Sequence, residues 1–291
     1  MILQFIANGL CTGALYAIMA IGFGLIYNST KIFHFAHGAV YVASAYLLYL
    51  FWVVLDLPMF IAILGSLCGA ALLGVIIEMF IYQPIRRKKF SSTTMMISSF
   101  GVYIFVVNLI AMLTGNETKV LNPGIGRTFT FADIILNQMQ LLSVLCFILI
   151  FSILLILRKT KYGQIILAFS NNPKLMETLG WNSKKIRIYI FAIGSSFAGI
   201  AACLSALDVG IDPNIGMNAL FVSIIAVIIG GAKAFEGAVV GSLLLGLLQS
   251  LVVWQFSTRW IDAFTFFILI VFLLFRPQGL LGGKLRIEEY K

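Results

Sequence analysis

Residues 59–82 read MFIAILGSLCGAALLGVIIEMFIY and run directly into QPIRRKK at 83–89. The first stretch carries a single charge, Glu78, and is long enough to cross the hydrocarbon core of a bilayer, which takes about 20 apolar residues. The second ends in Arg86, Arg87, Lys88 and Lys89. Basic residues flanking an apolar crossing are retained on the cytoplasmic side, so this one boundary both identifies a membrane helix and orients it.

Eight further apolar stretches lie at residues 2–27, 39–55, 95–113, 141–157, 188–207, 214–231, 238–254 and 261–275. Nine crossings put the two termini on opposite sides. With the 86–89 cluster cytoplasmic, alternate loops place Lys31, the seven basic residues of 158–187, Lys233 and the four of the tail from Arg276 on the same side. Seventeen of the 20 basic residues are then cytoplasmic, and only Lys119, Arg127 and Arg259 fall outside, together with most of the acids. The expectation is an all-α polytopic membrane protein of eight or nine transmembrane helices, N-terminus periplasmic and C-terminus cytoplasmic.

Composition agrees with that reading. At 61% hydrophobic residues and a mean hydropathy of +1.03, 291 residues have too little polar surface to coat a soluble globule. The net charge of +9 follows from topology and anionic lipid headgroups, so nucleic acid is not implied as a partner. Cys11, Cys68, Cys146 and Cys203 each lie in a different apolar stretch with no CxxC spacing, as expected of packing residues rather than redox or metal ligands. The first stretch lacks a basic flank and is too long for a signal-peptide core, so it reads as a retained crossing. The polar stretches, at most residues 115–140 and 158–187, leave room for one membrane domain over 1–291 and no soluble domain. Gly9-xxx-Gly13, Gly65-xxx-Gly69, Ser195-xxx-Gly199 and Gly237-xxx-Gly241 supply small-residue faces on which helices approach closely. Residues 230–237 read as a tight cytoplasmic turn, with a re-entrant pair over 214–254 as the competing arrangement.

Catalysis needs convergent ionisable groups, and Glu78 is the one acid inside the apolar stretches, Asp262 standing at the edge of the last. Glu78 lies near the basic end of its helix, where it can reach Arg86. No proton relay is written in the sequence, although a sodium-coupled carrier, whose ion is held by carbonyls and hydroxyls, stays open. No Walker frame occurs, since Gly283-Lys284 is followed by Leu285 and lacks the upstream glycines, so the chain binds no ATP through such a motif of its own. His34 and His37 share one face of a helical turn, but no cysteine or carboxylate accompanies them, so they are not read as a metal site. The polar residues Asn28, Ser29, Thr30, His34 and His37, with Phe35 and Gly38, follow a crossing that ends in Gly22-x-Gly24. A helix that unwinds there exposes backbone groups to a polar solute, which makes the segment a candidate substrate pathway alongside a purely structural turn.

Energy then has to arrive from outside, and residues 158–187 are where it can be received. Asn172-Pro173 caps and starts a short helix, Leu175, Met176 and Leu179 give it an apolar stripe, and Gly180 stops it. Such a helix either lies on lipid or docks into another protein as a lever.

Three stretches together resemble the inner-membrane permease subunit of the branched-chain amino acid ABC importers, in the superfamily that also holds ribose-type sugar permeases. They are residues 24–30 running into Phe35-Ala36-His37-Gly38 and Ala45-Tyr46; residues 168–180 followed by 197–202; and Gly230-Gly231 with residues 237–241 and Arg276-Pro277-Gln278-Gly279-Leu280. The resemblance spans nearly the whole chain. It implies a subunit energised by two cytoplasmic ATPases through a coupling loop that includes Ala168, Asn172, Leu175, Met176, Leu179 and Gly180. It also implies pairing with a second homologous permease and delivery of substrate by a periplasmic binding protein, with no cofactor in this chain. The family pattern has asparagine at the place of His34, an acid at the place of Ala39 and a glycine-serine type turn at the place of Lys233-Ala234. These departures widen the expected substrate from a branched-chain amino acid to another small amino acid, an amide or urea. A stand-alone ion-coupled carrier or channel for a small polar solute is the alternative function.

Overall fold

The fold is that of a computed structural model, which describes residues 2–121, 127–131, 134–231 and 235–282. Asp133, the Lys233-Ala234 turn and the tail from residue 283 lie outside the described residues. Helices α1 (Ile2–Thr30), α2 (Ala36–Tyr49), α3 (Met59–Ile77), α4 (Gln83–Arg87), α5 (Ser92–Thr114), α6 (Gln138–Lys159), α7 (Lys161–Asn171), α8 (Pro173–Thr178), α9 (Ser183–Val209), α10 (Ile215–Gly230), α11 (Phe235–Gln255) and α12 (Ile261–Phe275) follow in order. Single π-helical turns at Leu50–Val54 and Glu78–Tyr82 extend α2 and join α3 to α4. Among the described residues, eight helices are long and apolar enough to cross a membrane, and α10, with 16 residues, is a ninth, shorter apolar helix.

All nine predicted apolar stretches fall on these nine helices. The re-entrant alternative is excluded by how α11 packs. It runs antiparallel to α1 along its whole length, from Ala238 opposite Gly24 to Trp254, whose ring lies 6.2 Å from that of Phe5. A helix paired end to end with a full crossing is itself a full crossing. At about 24 Å, α10 starts below the level reached by its neighbours, and Gly216 in its first turn packs backbone to backbone on Gly38 near the start of α2.

The bundle is ordered by burial. α1 and α9 are two-thirds buried over their apolar windows, whereas α5, α6 and α12 are mostly exposed and present Phe105, Met112, Ile156, Leu274 and Phe275 outward, as lipid-facing helices do. The small-residue faces fall at the helix contacts. Gly9 and Gly13 meet Gly246 of α11, Gly65 and Gly69 meet Phe51 and Leu47, Ser195 and Gly199 meet Gly74 and Ala70, and Gly237 and Gly241 meet Gly230 and Ala226.

Contacts sort the loops into two ends. At one, Gln4 bonds the backbone of Ile135, the side-chain amide of Asn137 donates to Asp208 at 2.8 Å, and Lys119 pairs with Ile211 through two backbone bonds. There the polar stretch after α5 contains an antiparallel hairpin, β1 (Thr128–Phe131) and β2 (Ile134–Asn137), whose two short strands the sequence reading treats as loop. At the other end stand the 86–89 cluster, α7 and α8, and an ion pair between Arg158 and Glu236. Glu78, buried in its π turn, takes a two-pronged bond from Arg86 at 2.7 and 3.2 Å, the partner expected of it. Two separated sequence stretches also meet here. The N–H groups of Leu280 and Leu281 donate to the carbonyls of Ile229 and Gly230, at 2.7 and 3.0 Å, closing the end of α10. Gly279, at φ 78°, lies so close to Gly231 that a Cβ would stand 2.5 Å from its Cα, which accounts for glycine in both stretches.

Candidate functional site

Gly22-Phe23-Gly24 does not unwind: α1 continues as one helix to Thr30. Gly22 is instead a contact point, where an added Cβ would lie 2.5 Å from the Gly194 carbonyl of α9 and 3.3 Å from His37 Nε2. The helix break falls at residues 31–35. Because Thr30 lies about 12 Å beyond Gly22 along α1, the chain must climb back by a similar distance to set His37 against Gly22. The climb is packed by protein, as irregular backbone at depth requires. Ile32 and His34 are fully buried, the Ala36 N–H donates to Ser99 Oγ of α5 at 2.9 Å, and Phe35 meets the edge of Phe100.

Of the predicted pathway residues, His34 and Phe35 lie in this break, His37 and Gly38 are buried in the first turn of α2, and Asn28, Ser29 and Thr30 stand on the last turn of α1. His34 Nδ1 is 2.7 Å from the Tyr82 hydroxyl, and its ring is edge-on to Phe191 at 5.2 Å. Thr30 Oγ1 donates back to the Ile26 carbonyl. Among the described residues no three His, Cys, Asp or Glu side chains converge, and one nitrogen of His34 is already engaged.

The predicted coupling region is two helices, not one. α7 precedes the short helix and is capped by Thr160, whose hydroxyl accepts the Gly163 N–H; α8 is capped by Asn172, whose side chain accepts the Leu175 N–H at 3.0 Å. Gly180 ends the segment at φ 85°. Ala168, Asn172, Leu175, Leu179 and Gly180 are exposed, but Met176, at 5% exposure, faces the protein. The apolar stripe is therefore split between an outward pair and an inward anchor.

That anchor reaches the break. Met176 and Phe169 share one buried cluster with Ile32, Ala36, Tyr82 and Phe191, the last two in contact with His34. Ser29 Oγ and Ser170 Oγ bond at 2.8 Å, and the Arg187 guanidinium stacks over the Phe169 ring. α7 packs on α1, α6 and α9, and α8 on α9, so both helices adjoin the elements around this cluster.

Toward the other end, a cavity of about 250 Å³ opens between α1, α2, α9, α10, α11 and α12. Tyr16, Tyr41, Ser205, Asn218, Gln249 and Asp262 bring polar groups to it, one from each helix, amid apolar residues. The Tyr16 hydroxyl donates to Gln249 Oε1 at 2.9 Å, and Gln249 Nε2 donates to Thr265 Oγ1 at 2.8 Å. Sequence reasoning missed this site. Its polar residues come from six different helices, and only the assembled bundle shows that they converge.

The fold is thus a bundle of apolar crossings that encloses a cavity with polar groups from six helices. Residues 5–274 match the family model described as branched-chain amino acid transport system / permease component. The chain belongs to that family, as a multi-pass permease of the inner membrane. It is 30% identical to the high-affinity branched-chain amino acid transport system permease protein BraD of Pseudomonas aeruginosa, over 96% of this chain and 95% of that one. It is 28% identical to the permease protein LivH of Escherichia coli K12, over 96% and 95%. In fold it is similar to PsaBC from Streptococcus pneumoniae in complex with Fab, with TM-score 0.54 and 15% identity over 94% of this chain and 93% of that one.

Proposed function

We propose that this chain is the membrane-spanning subunit of an ATP-binding-cassette importer, that its solute is a branched-chain amino acid, and that ATPase motion enters through α7 and α8. The observation that carries the mechanism is the shared core. Leu175 and Leu179 offer an exposed apolar pair to a partner, and Met176 and Phe169, buried on the same two helices, belong to one cluster with Tyr82 and Phe191, which contact His34. A push on the surface pair moves the broken start of α2, and with it the Asn28 to Gly38 segment that we assign to the substrate pathway. Supporting the substrate are the names of the relatives. Two ATPases, a second homologous permease and a periplasmic binding protein complete the assembly.

The end bearing the 86–89 cluster, α7 and α8 is assigned to the cytoplasm, because positive charge is retained there. Single cysteines introduced at Ser91 and Thr118, at opposite ends of α5, test this. An impermeant thiol reagent added to spheroplasts should label Thr118→Cys and leave Ser91→Cys untouched. Equal labelling of both would sink the map.

Purified chain in liposomes should neither hydrolyse ATP nor accumulate leucine, since it carries no Walker frame. Adding the ATPases, the sister permease and the loaded binding protein should produce ATP-dependent uptake. Leucine accumulation by the chain alone would establish a stand-alone carrier instead.

A further inference from the structure

We infer that the cavity between α1, α2, α9, α10, α11 and α12 is a solute site for a small zwitterion with an apolar side chain, occupied during passage between the outer face and the His34 to Gly38 segment. This deepens the reading above and rests on it. Its position is given by the elements that build it. Ser205 lies one turn before the end of α9, Gln249 two turns before the end of α11, and Asp262 in the first turn of α12, all at the end opposite the coupling helices. Because α10 is short, its first turn begins at depth, and Ile215, Asn218 and Ala219 form part of the wall.

The lining has the two halves that such a solute needs. Leu15, Met19, Ala201, Ala219, Val222 and Ile261 give the lining an apolar part that suits an aliphatic side chain. The polar part is Tyr16, Tyr41, Ser205, Asn218 and Gln249, none of them charged, together with Asp262, which is exposed. An ammonium group is drawn to Asp262. A carboxylate is received by hydroxyl and amide donors and by the first N–H groups of α10, the end of a helix where negative charge is favoured. Water takes up roughly 30 Å³ per molecule, so a volume of about 250 Å³ admits one amino acid but not a bulky peptide. Tyr41 and Gln249 are the buried polar groups of the set, at 4% and 7% exposure, and bonds to Tyr16 and Thr265 fix the Gln249 amide.

The test uses the complete importer in liposomes, with L-leucine as solute and two readouts, uptake and the ATPase rate stimulated by loaded binding protein. Val222→Trp fills the apolar wall, and Asn218→Leu removes a polar donor. Both should lower leucine uptake by about tenfold or more, with assembly and stimulated ATPase activity retained. Wild-type uptake in both would overturn the assignment. As a measurement that does not depend on a bulky substitution, Ala219→Cys in a background freed of the native cysteines should react with a small cationic thiol reagent. Excess L-leucine should slow that reaction and excess urea should not. Reaction at an unchanged rate in leucine, or no reaction at all, would also overturn it. Failure of the wild-type complex to take up leucine is a separate result, which removes the substrate reading and this inference with it.

Discussion

Replacing Gly246 by leucine should abolish accumulation of the folded protein in the membrane. Position 246 is the point of closest approach between α11 and α1: a Cβ there would stand 2.4 Å from the Gly9 carbonyl oxygen and 2.5 Å from the Gly13 nitrogen. Gly9 meets α11 in the same way, with a Cβ placed 2.9 Å from Leu247 Cα. Every one of these neighbours is main chain, so no rotamer change can relieve the overlap and the two helices must separate along much of their length. Overpacking a core costs about 1–3 kcal/mol where side chains can yield and more where they cannot. The expected loss is therefore at least ~3 kcal/mol, a large part of the stability of a typical domain. Gly101→Leu is the matched control. Gly101 lies on the exposed side of α5 with nothing within 4 Å of an added Cβ, and leucine is the better helix former by up to about 1 kcal/mol. Membrane abundance and thermal unfolding in detergent should separate the two variants sharply. Equal values would mean that α1 and α11 do not meet as described.

Leu175→Asp and Met176→Asp, one residue apart, should fail for different reasons. Leu175 is 54% exposed on α8, so a charge there faces water in the isolated subunit and leaves the bundle intact. In the importer the same charge sits in the apolar contact with an ATPase, and removing one central side chain from such a contact costs about 2 kcal/mol or more, roughly a thirtyfold loss of affinity. The expected result is a subunit of normal abundance and melting temperature that no longer retains ATPase in a pull-down and takes up no solute. Met176 is buried with Phe169, Ile32 and Tyr82, and a carboxylate there is taken out of water among apolar side chains, so that variant should lose thermal stability even without the ATPases. Gly180→Leu belongs with the first kind. At φ 85° a leucine costs about 1–2 kcal/mol, a strain that falls on the turn after α8 and not on the crossings. Normal ATPase retention and uptake by Leu175→Asp would show that α8 lies on lipid and transmits nothing.

These expectations depend on information of two kinds. Nine apolar stretches, the basic bias of alternate loops and the Asn172-Pro173 start of α8 could be read from the sequence, because each rests on a local property: hydropathy over a window, charge at a boundary, a capping side chain with its proline. The partner of Glu78 was readable for the same reason, since Arg86 is two helical turns away. Small-residue spacing marked four faces that do lie at helix contacts, yet it could not say which helix each one meets.

Tertiary structure decided the rest. Whether Gly22-x-Gly24 breaks α1 or packs against α9 depends on Gly194, which is 172 positions away. Local sequence allows either outcome, and it is the close approach that holds the helix straight to Thr30. The stripe of α8 was legible as apolar, but its division into an outward pair and an inward Met176 depends on where α7 and α9 set the helix. The cavity was hidden for a related reason. A lone tyrosine, serine, asparagine or glutamine in an apolar helix carries no periodic signal, and six such residues become one site only when six helices pack. Hydropathy and charge therefore determined which segments cross and which loops share an end, since both are set by transfer from water to lipid one segment at a time. Side-chain convergence is a property of the packed bundle, where the distance between two groups is set by every helix between them.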